Sequence, residues 1–382
     1  MISSASWQKR IARIFSEEIT SAELFYQLTY MSATAASGLS RDKVFELAAA
    51  APCRAAAAFA RVRELVHDLQ YDYPLACRLV GQHEQSADMR SFLLRLANAL
   101  EGGERLDEFL AAEAAVQGEH YTNQYERDVE SLKKWTEAYS SLIISEALIV
   151  IINLISTMIY DLGTTMMAAL MSVAVAMSFF GAWVLTRAAP KETMIVHAPE
   201  GSAIQIRSRR LLRVLAPLSV VIGGGLALAG AGWGWSLLAA AVIMAPLGWL
   251  SQKADKGVAR MEAEGGSFLR TLGGMATSAG STLSEALTKI DRESFPALKQ
   301  SIATLTLRLS ARISPELCWQ RFGYETGSQL LSETSRIFFD AVNLGGDPDE
   351  VSALCSMFTN KTALLRAKRR VVAETFSWLT LV

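Results

Sequence analysis

Two patterns of hydrophobic and polar positions alternate along this chain. In the first, apolar residues recur every three or four positions among polar ones, as in Phe25, Leu28, Met31 and Ala35, and again in Leu272, Met275 and Ala279. That period predicts helices with one apolar face. In the second pattern charge nearly vanishes. Residues 138–160 carry one charge, Glu146, and residues 162–186 and 214–252 carry none. A helix crosses a bilayer in about 20 apolar residues, so these stretches predict membrane spans. Strand signals are nearly absent. The fold class expected is all-α: a multi-pass membrane protein with helical bundles outside the bilayer and helical hairpins within it.

The uncharged 39-residue stretch 214–252 is too long for one crossing and is interrupted by Gly230, Gly232 and Gly234. It divides into spans near 214–229 and 235–250. With 138–160 and 164–186 this makes four. The short connections at 160–164 and 230–235 carry no Lys or Arg, whereas the 187–213 loop is basic, with Arg207, Arg209, Arg210 and Arg213. Lys133 and Lys134 sit at the outer end of the set, as do Lys253 and Lys256. Positive residues stay on the cytoplasmic side, so the N-terminus and the flanking domains are expected there. Trp183, Trp233, Trp235 and Trp249 fall near the predicted interfaces, where an indole is favoured.

The flanking domains resemble each other. Leu28, Met31, Ala35, Ser37, Leu39 and Ser40 recur as Leu272, Met275, Ala279, Ser281, Leu283 and Ser284, an offset of 244. Pro74 and Cys77 recur as Pro315 and Cys318, Gly102 and Gly103 as Gly345 and Gly346, and Trp135 as Trp378, at offsets of 241 to 243. Anchors in order at a nearly constant offset point to an internal duplication. Each copy reads as a bundle of about six short helices. Ser40 and Ser284 are placed as N-caps, Pro74 and Pro315 open a later helix, and the Gly-Gly pairs supply a left-handed turn. The domains expected are a first bundle over 1–139, four spans over 140–252, and a second bundle over 253–382. An even number of spans leaves both bundles on the cytoplasmic side, as a parallel repeat. The helix through Trp135 runs into the first span; by the repeat Trp378 should lead into another, so a C-terminally incomplete chain is expected.

Composition excludes a disordered tail. Of 382 residues 51% are hydrophobic and 20% charged, and the net charge of −1 gives no argument for nucleic acid. Cys53, Cys77, Cys318 and Cys355 form no metal or redox pair, and His67, His83, His120 and His197 share no helical face. His83-Glu84 lacks a second histidine at Ala87, and residues 274–282 have glycines at a P-loop-like distance but no Lys. Neither a catalytic group nor a cofactor or metal site is expected.

The motifs resemble the inner-membrane platform family of type II secretion and type IV pilus machines. The second copy carries the resemblance best, with Phe268 and Leu272, then Gly280, Leu283, Ala286 and Leu287, then Gly345 and Gly346 before Asp349 and Glu350. In the first copy Val44 to Leu47 stand where the family has Ala-Leu. Gly103 and Gly346 occupy the glutamate position of the bacterial turn, and four central spans exceed the two of bacterial members. Both features are more similar to archaeal pilus and archaellum platforms. The resemblance implies a non-enzymatic membrane base that docks a hexameric cytosolic secretion ATPase and couples it to pilin-like subunits; homo-oligomerisation stays open. The contacts it implies are polar residues at bundle turns: Arg41, Asp42 and Lys43; Arg308 and Arg312; Asp347, Asp349 and Glu350. Lys368, Arg369 and Arg370, with Lys133, Lys134 and the 187–213 arginines, are expected at lipid headgroups. The alternative is a transporter or channel component, which needs paired charges inside the membrane; spans two to four hold none.

Overall fold

The computed structural model describes residues 19–159, 164–189, 207, 210–215, 217–219, 221–222 and 233–379, and every extended element among them is helical. The first set comprises α1 (Ser21–Ala35), α2 (Arg41–Ala50), α3 (Ala56–His67), α4 (Tyr73–His83), α5 (Ala87–Glu101) and α6 (Leu106–Ile159). Then come α7 (Thr164–Ala188) and α8 (Trp233–Ala279). The second set follows as α9 (Leu283–Lys289), a 3₁₀ turn (Arg292–Ser294), α10 (Lys299–Ser310), α11 (Pro315–Thr326), α12 (Gln329–Asn343) and α13 (Pro348–Leu379). From α2 onward each helix of the first set starts 242 or 243 residues before one of the second.

Local chemistry accounts for these boundaries. Thr20 and Glu23 form a reciprocal capping box at α1, the side chain of each accepting from the backbone N–H of the other at 3.3 and 3.2 Å. Ser40 accepts from Lys43 N and Ser86 from Met89 N. Their counterparts 242 residues on are Thr282, which accepts from Glu285 N, and Ser328, which accepts from Leu331 N. The cap of α9 is therefore Thr282, not Ser284. The reason lies one turn earlier: Gly38 (φ +69°) and Gly280 (φ +56°) reverse the chain in the left-handed region. From these glycines onward the spacing is 242 or 243, two residues shorter than the 244 that aligns the apolar stripes. Gly103 (φ +73°) and Gly345 (φ +99°) make the later left-handed turns, also 242 apart. Pro74 and Pro315 open α4 and α11 in their first turns.

The chain divides into two compact units, Met1–Glu119 with Thr193–Ala363, and His120–Glu192 with Leu364–Val382. In the first unit one core gathers Leu24, Leu28 and Met31 of α1 with Phe45, Phe59, Phe92 and Leu110. Another surrounds Phe268, whose ring lies 5.8 Å from those of Phe295 and Phe322. The one-faced helix expected for α1 is overturned: Leu24 through Ala35 are buried on every side. The face opposite the first core is covered by the second bundle, with Phe25 against Phe358 at 4.8 Å between ring centres. Burial makes internal hydrogen bonds valuable to the polar groups on such a helix, although Tyr26 Oη and Ser32 Oγ have none. Thr29 and Thr34 donate to the carbonyls of Phe25 and Tyr30, and Gln27 donates to Ala48 O at 2.9 Å.

In the second unit α6 pairs with α7. Thr136, Ser140, Ser141 and Ser145 donate to carbonyls four residues back as the helix enters its apolar stretch. The Tyr139 hydroxyl donates to Ser178 O at 3.1 Å, and Glu146 accepts from Ser178 Oγ at 2.5 Å. Glu146 thus faces a helix neighbour. Among the described residues one helix, over Leu106–Ser156, is long and apolar enough to cross a membrane. Residues 164–188 and 235–250 are helical, while most of the expected third span and the glycines at 223–225 and 230 lie outside the described residues. Arg187 lies over the Trp183 ring at 5.3 Å, and Lys253 over Trp249 at 5.5 Å.

Candidate partner-binding cleft

In the first unit a cleft of about 610 Å³ opens where the two bundles meet. Tyr30 of α1 and Leu47 of α2 form one wall; Trp319, Arg336, Phe339 and Asp340 form much of the other. α11 and α12 supply that second wall because Gly323 lets them approach closely: a Cβ there would lie 2.7 Å from the Ser332 Cα. The Trp319 ring stacks on Phe339 at 6.1 Å. Beside this aromatic floor the Tyr30 hydroxyl donates to Asp340 Oδ2 at 3.3 Å, and Arg336 Nε lies 3.5 Å from the same oxygen. Burial raises Asp340 above the usual carboxylate range, against the opposing pull of Arg336 and Tyr30. The arrangement offers a stacking surface and a hydrogen-bonded charge pair, which suits a helix or loop of another protein.

The contact residues expected from sequence fall in three separate places. Asp42, in the first turn of α2, accepts from the Tyr73 hydroxyl at 2.5 Å and lies 2.9 Å from His67 Nε2. The Tyr73 bond, then His67, holds its carboxyl below the usual range. Lys43 pairs with Glu46 at 2.8 Å, and Arg41 beside it is exposed. Arg308 forms a two-pronged pair with Glu325, one arm at 3.0 Å, and Arg312 sits exposed with φ +58° in the α10–α11 turn. Asp347 caps α13, accepting from Asp349 N at 2.9 Å and from Thr277 Oγ1 at 2.8 Å, while Asp349 lies 3.3 Å from Arg270. Glu350 is exposed. Most of these side chains tie their own bundle together.

Of the expected headgroup residues, Lys134 pairs with Glu130 at 3.1 Å and Lys133 lies 3.9 Å from Glu137. Arg207, Arg210 and Arg213 are exposed; Arg209 lies outside the described residues. Arg369 and Arg370 are half-buried on α13, and Lys368 pairs with Glu126 of α6. The cleft itself escaped sequence reasoning, since Tyr30 and Asp340 are 310 residues apart.

A bundle of short helices running through α6 into an apolar stretch is the arrangement that the type II secretion system protein F domain matches, over residues 28–154. Over those residues the chain is similar to that protein F family. Flagella accessory protein J of Methanococcus voltae is 26% identical over 311 residues, covering 77% of this chain and 55% of the relative. The protein of the same name from Methanocaldococcus jannaschii is 27% identical over 305 residues, covering 77% and 54%. The chain spans about half the length of these curated relatives. No solved structure matches it. The matched domain thus ends inside the apolar part of α6, taking in both the bundle and the start of the long apolar stretch.

Proposed function

We propose that this chain is the membrane platform of a type IV filament or type II secretion-like machine. Its two bundles lie on the cytoplasmic side, dock a hexameric secretion ATPase, and pass its cycle through stiff helices to pilin-like subunits. The observation that carries the reading is the match of protein F to a bundle continuous with an apolar helix, joined by the two flagella accessory protein J relatives. The 242-residue spacing of helix starts, caps and left-handed glycines supports a duplicated bundle. α6 supports mechanical coupling, since 54 residues of unbroken helix lead from the first bundle into the apolar stretch. In this reading the chain crosses the membrane four times with the N-terminus and both bundles in the cytoplasm, and Lys133, Lys134, Arg207, Arg209, Arg210, Arg213, Lys368, Arg369 and Arg370 lie toward anionic headgroups. Because Asp42, Lys43, Arg308, Asp347 and Asp349 are engaged within their bundles, the exposed Arg41, Arg312 and Glu350 and the cleft around Trp319 are the surface left for the ATPase.

The test is retention of a purified secretion ATPase on the detergent-solubilised full chain. Wild type should hold the hexamer. Arg312→Glu and Phe339→Ala should weaken it by about tenfold, roughly the loss of one hot-spot contact. Failure of wild type to retain any ATPase, with its melting transition intact, would overturn the proposal.

A further inference from the structure

The helices α6 and α13 meet through positions that are equivalent in the two sets. Glu119 on α6 accepts from Lys361 on α13 at 2.5 Å, and the two are 242 residues apart. That is the separation of Gly38 from Gly280, of Ser86 from Ser328 and of the starts of α6 and α13. Seven residues further along both helices Glu126 pairs with Lys368, again 242 apart. Equivalent residues face each other at successive heptads only when two helices run parallel and in register, the relation found about a local two-fold axis.

A seam made of equivalent positions is ambiguous by construction. Whatever lets α6 fit α13 would also let it fit the α6 of a second chain, and α13 a second α13. Charge removes the ambiguity. Both acidic partners are on α6 and both basic partners on α13, so an α6–α6 contact would oppose Glu to Glu and an α13–α13 contact Lys to Lys. Shape acts in the same sense. A Cβ on Gly118 would lie 2.9 Å from the Phe25 ring, so α6 must be thin there. At the equivalent place on α13 stands Asn360, and there the glycine is on the other helix: a Cβ on Gly266 of α8 would lie 2.1 Å from the Asn360 amide oxygen. Neither long helix can replace the other in its bundle.

We propose that the α6–α13 seam is a self-recognition surface whose partner is the other half of the same chain: acid on one copy and base on the other select pairing in cis and reject a homotypic contact with a second molecule. The inference rests on the duplicated-bundle reading but not on ATPase docking, so a failed ATPase retention would leave its test untouched.

The test uses the full chain in membranes with Glu119→Cys and Lys361→Cys and a short bis-maleimide. The native thiols are a quiet background, since Cys77, Cys318 and Cys355 are buried and burial pushes Cys53 and Cys77 up to about 12. An intrachain cross-link is expected, read as a mobility shift at monomer mass. In that background Glu126→Lys or Lys368→Glu alone should lower the intrachain yield roughly threefold, the scale of one exposed ion pair, and the two together should restore it. Protection of Cys355 from maleimide certifies the fold of each variant, and Glu126→Gln replaces a reversal that loses protection. The proposal is overturned if the double exchange is no better than the single reversals, or if the cysteines join two chains as readily as they join one.

Discussion

The hydroxyl of Tyr30 on α1 reaches across to Asp340 on α12, 3.3 Å away and 310 residues later. This bond ties the two bundles at the edge of the cleft, and the burial of Asp340 there makes their seam sensitive to pH. Burial raises Asp340, so the folded chain holds that proton more tightly than the unfolded chain. The contribution is full below the unfolded carboxylate value of about 4 and is lost as pH rises through the raised folded value. Asp340→Asn should remove this part of the decline in melting temperature between about pH 4 and pH 7. Tyr30→Phe should cost about 1 kcal/mol at neutral pH. An unchanged pH slope in Asp340→Asn would refute the assignment.

Asp42 should behave in the opposite sense. Hydrogen bonding from Tyr73, then from His67, holds it below the usual carboxylate range. Its contribution is therefore present above the unfolded value and lost as pH falls through the folded one. Asp42→Asn should flatten the acid limb of a stability profile, and Tyr73→Phe should flatten it in part. Acid unfolding followed by circular dichroism measures both.

Adjacent glycines in α8 should respond differently to the same methyl group. A Cβ on Gly273 would lie 2.3 Å from the Pro348 carbonyl oxygen and from Ser352 Oγ, whereas one on Gly274 meets only Asp349 Oδ1 at 3.5 Å. Gly273→Ala should destabilise the second bundle by about 1–3 kcal/mol through overpacking. Gly274→Ala should be neutral or stabilise by up to ~1 kcal/mol, because alanine favours helix. Thermal melts of the two variants side by side decide it.

Gly181 on α7 lets Tyr139 of α6 lie against the helix backbone. A Cβ at 181 would fall 2.3 Å from the Tyr139 ring. Gly181→Leu should force these helices apart and break the Tyr139–Ser178 hydrogen bond, which a cysteine pair at 139 and 178 would report as lost cross-linking. Small residues that allow close approach are the usual basis of helix pairing in a membrane.

Much of this architecture follows from local chemistry that one stretch of chain contains. The period of Leu24, Leu28 and Met31, the caps at Ser40 and Ser86, Pro74 and Pro315 in first turns, and Gly103 and Gly345 in left-handed turns each act within a few residues. They are legible without knowing what packs where. So was the resemblance to the protein F family, because its motifs are such local devices. The apolar run of α6 is legible in the same way, since bilayer thickness acts on length and composition alone.

What tertiary structure decided lies where residues hundreds of positions apart compete for the same space or charge. The apolar period of α1 shows one face toward a core, yet the helix is buried all round, because Phe358 and Asp340 of the second bundle cover its other face. Thr282 rather than Ser284 caps α9 because the preceding turn closes at Gly280. Lys361 and Lys368 are each paired with a glutamate on α6, contacts that no local pattern in either helix announces. Sequence alone could tell where apolar stripes, caps and turns recur; which helix faces would touch depended on the shapes and charges each presents once folded, and those are set by packing, not by any local rule.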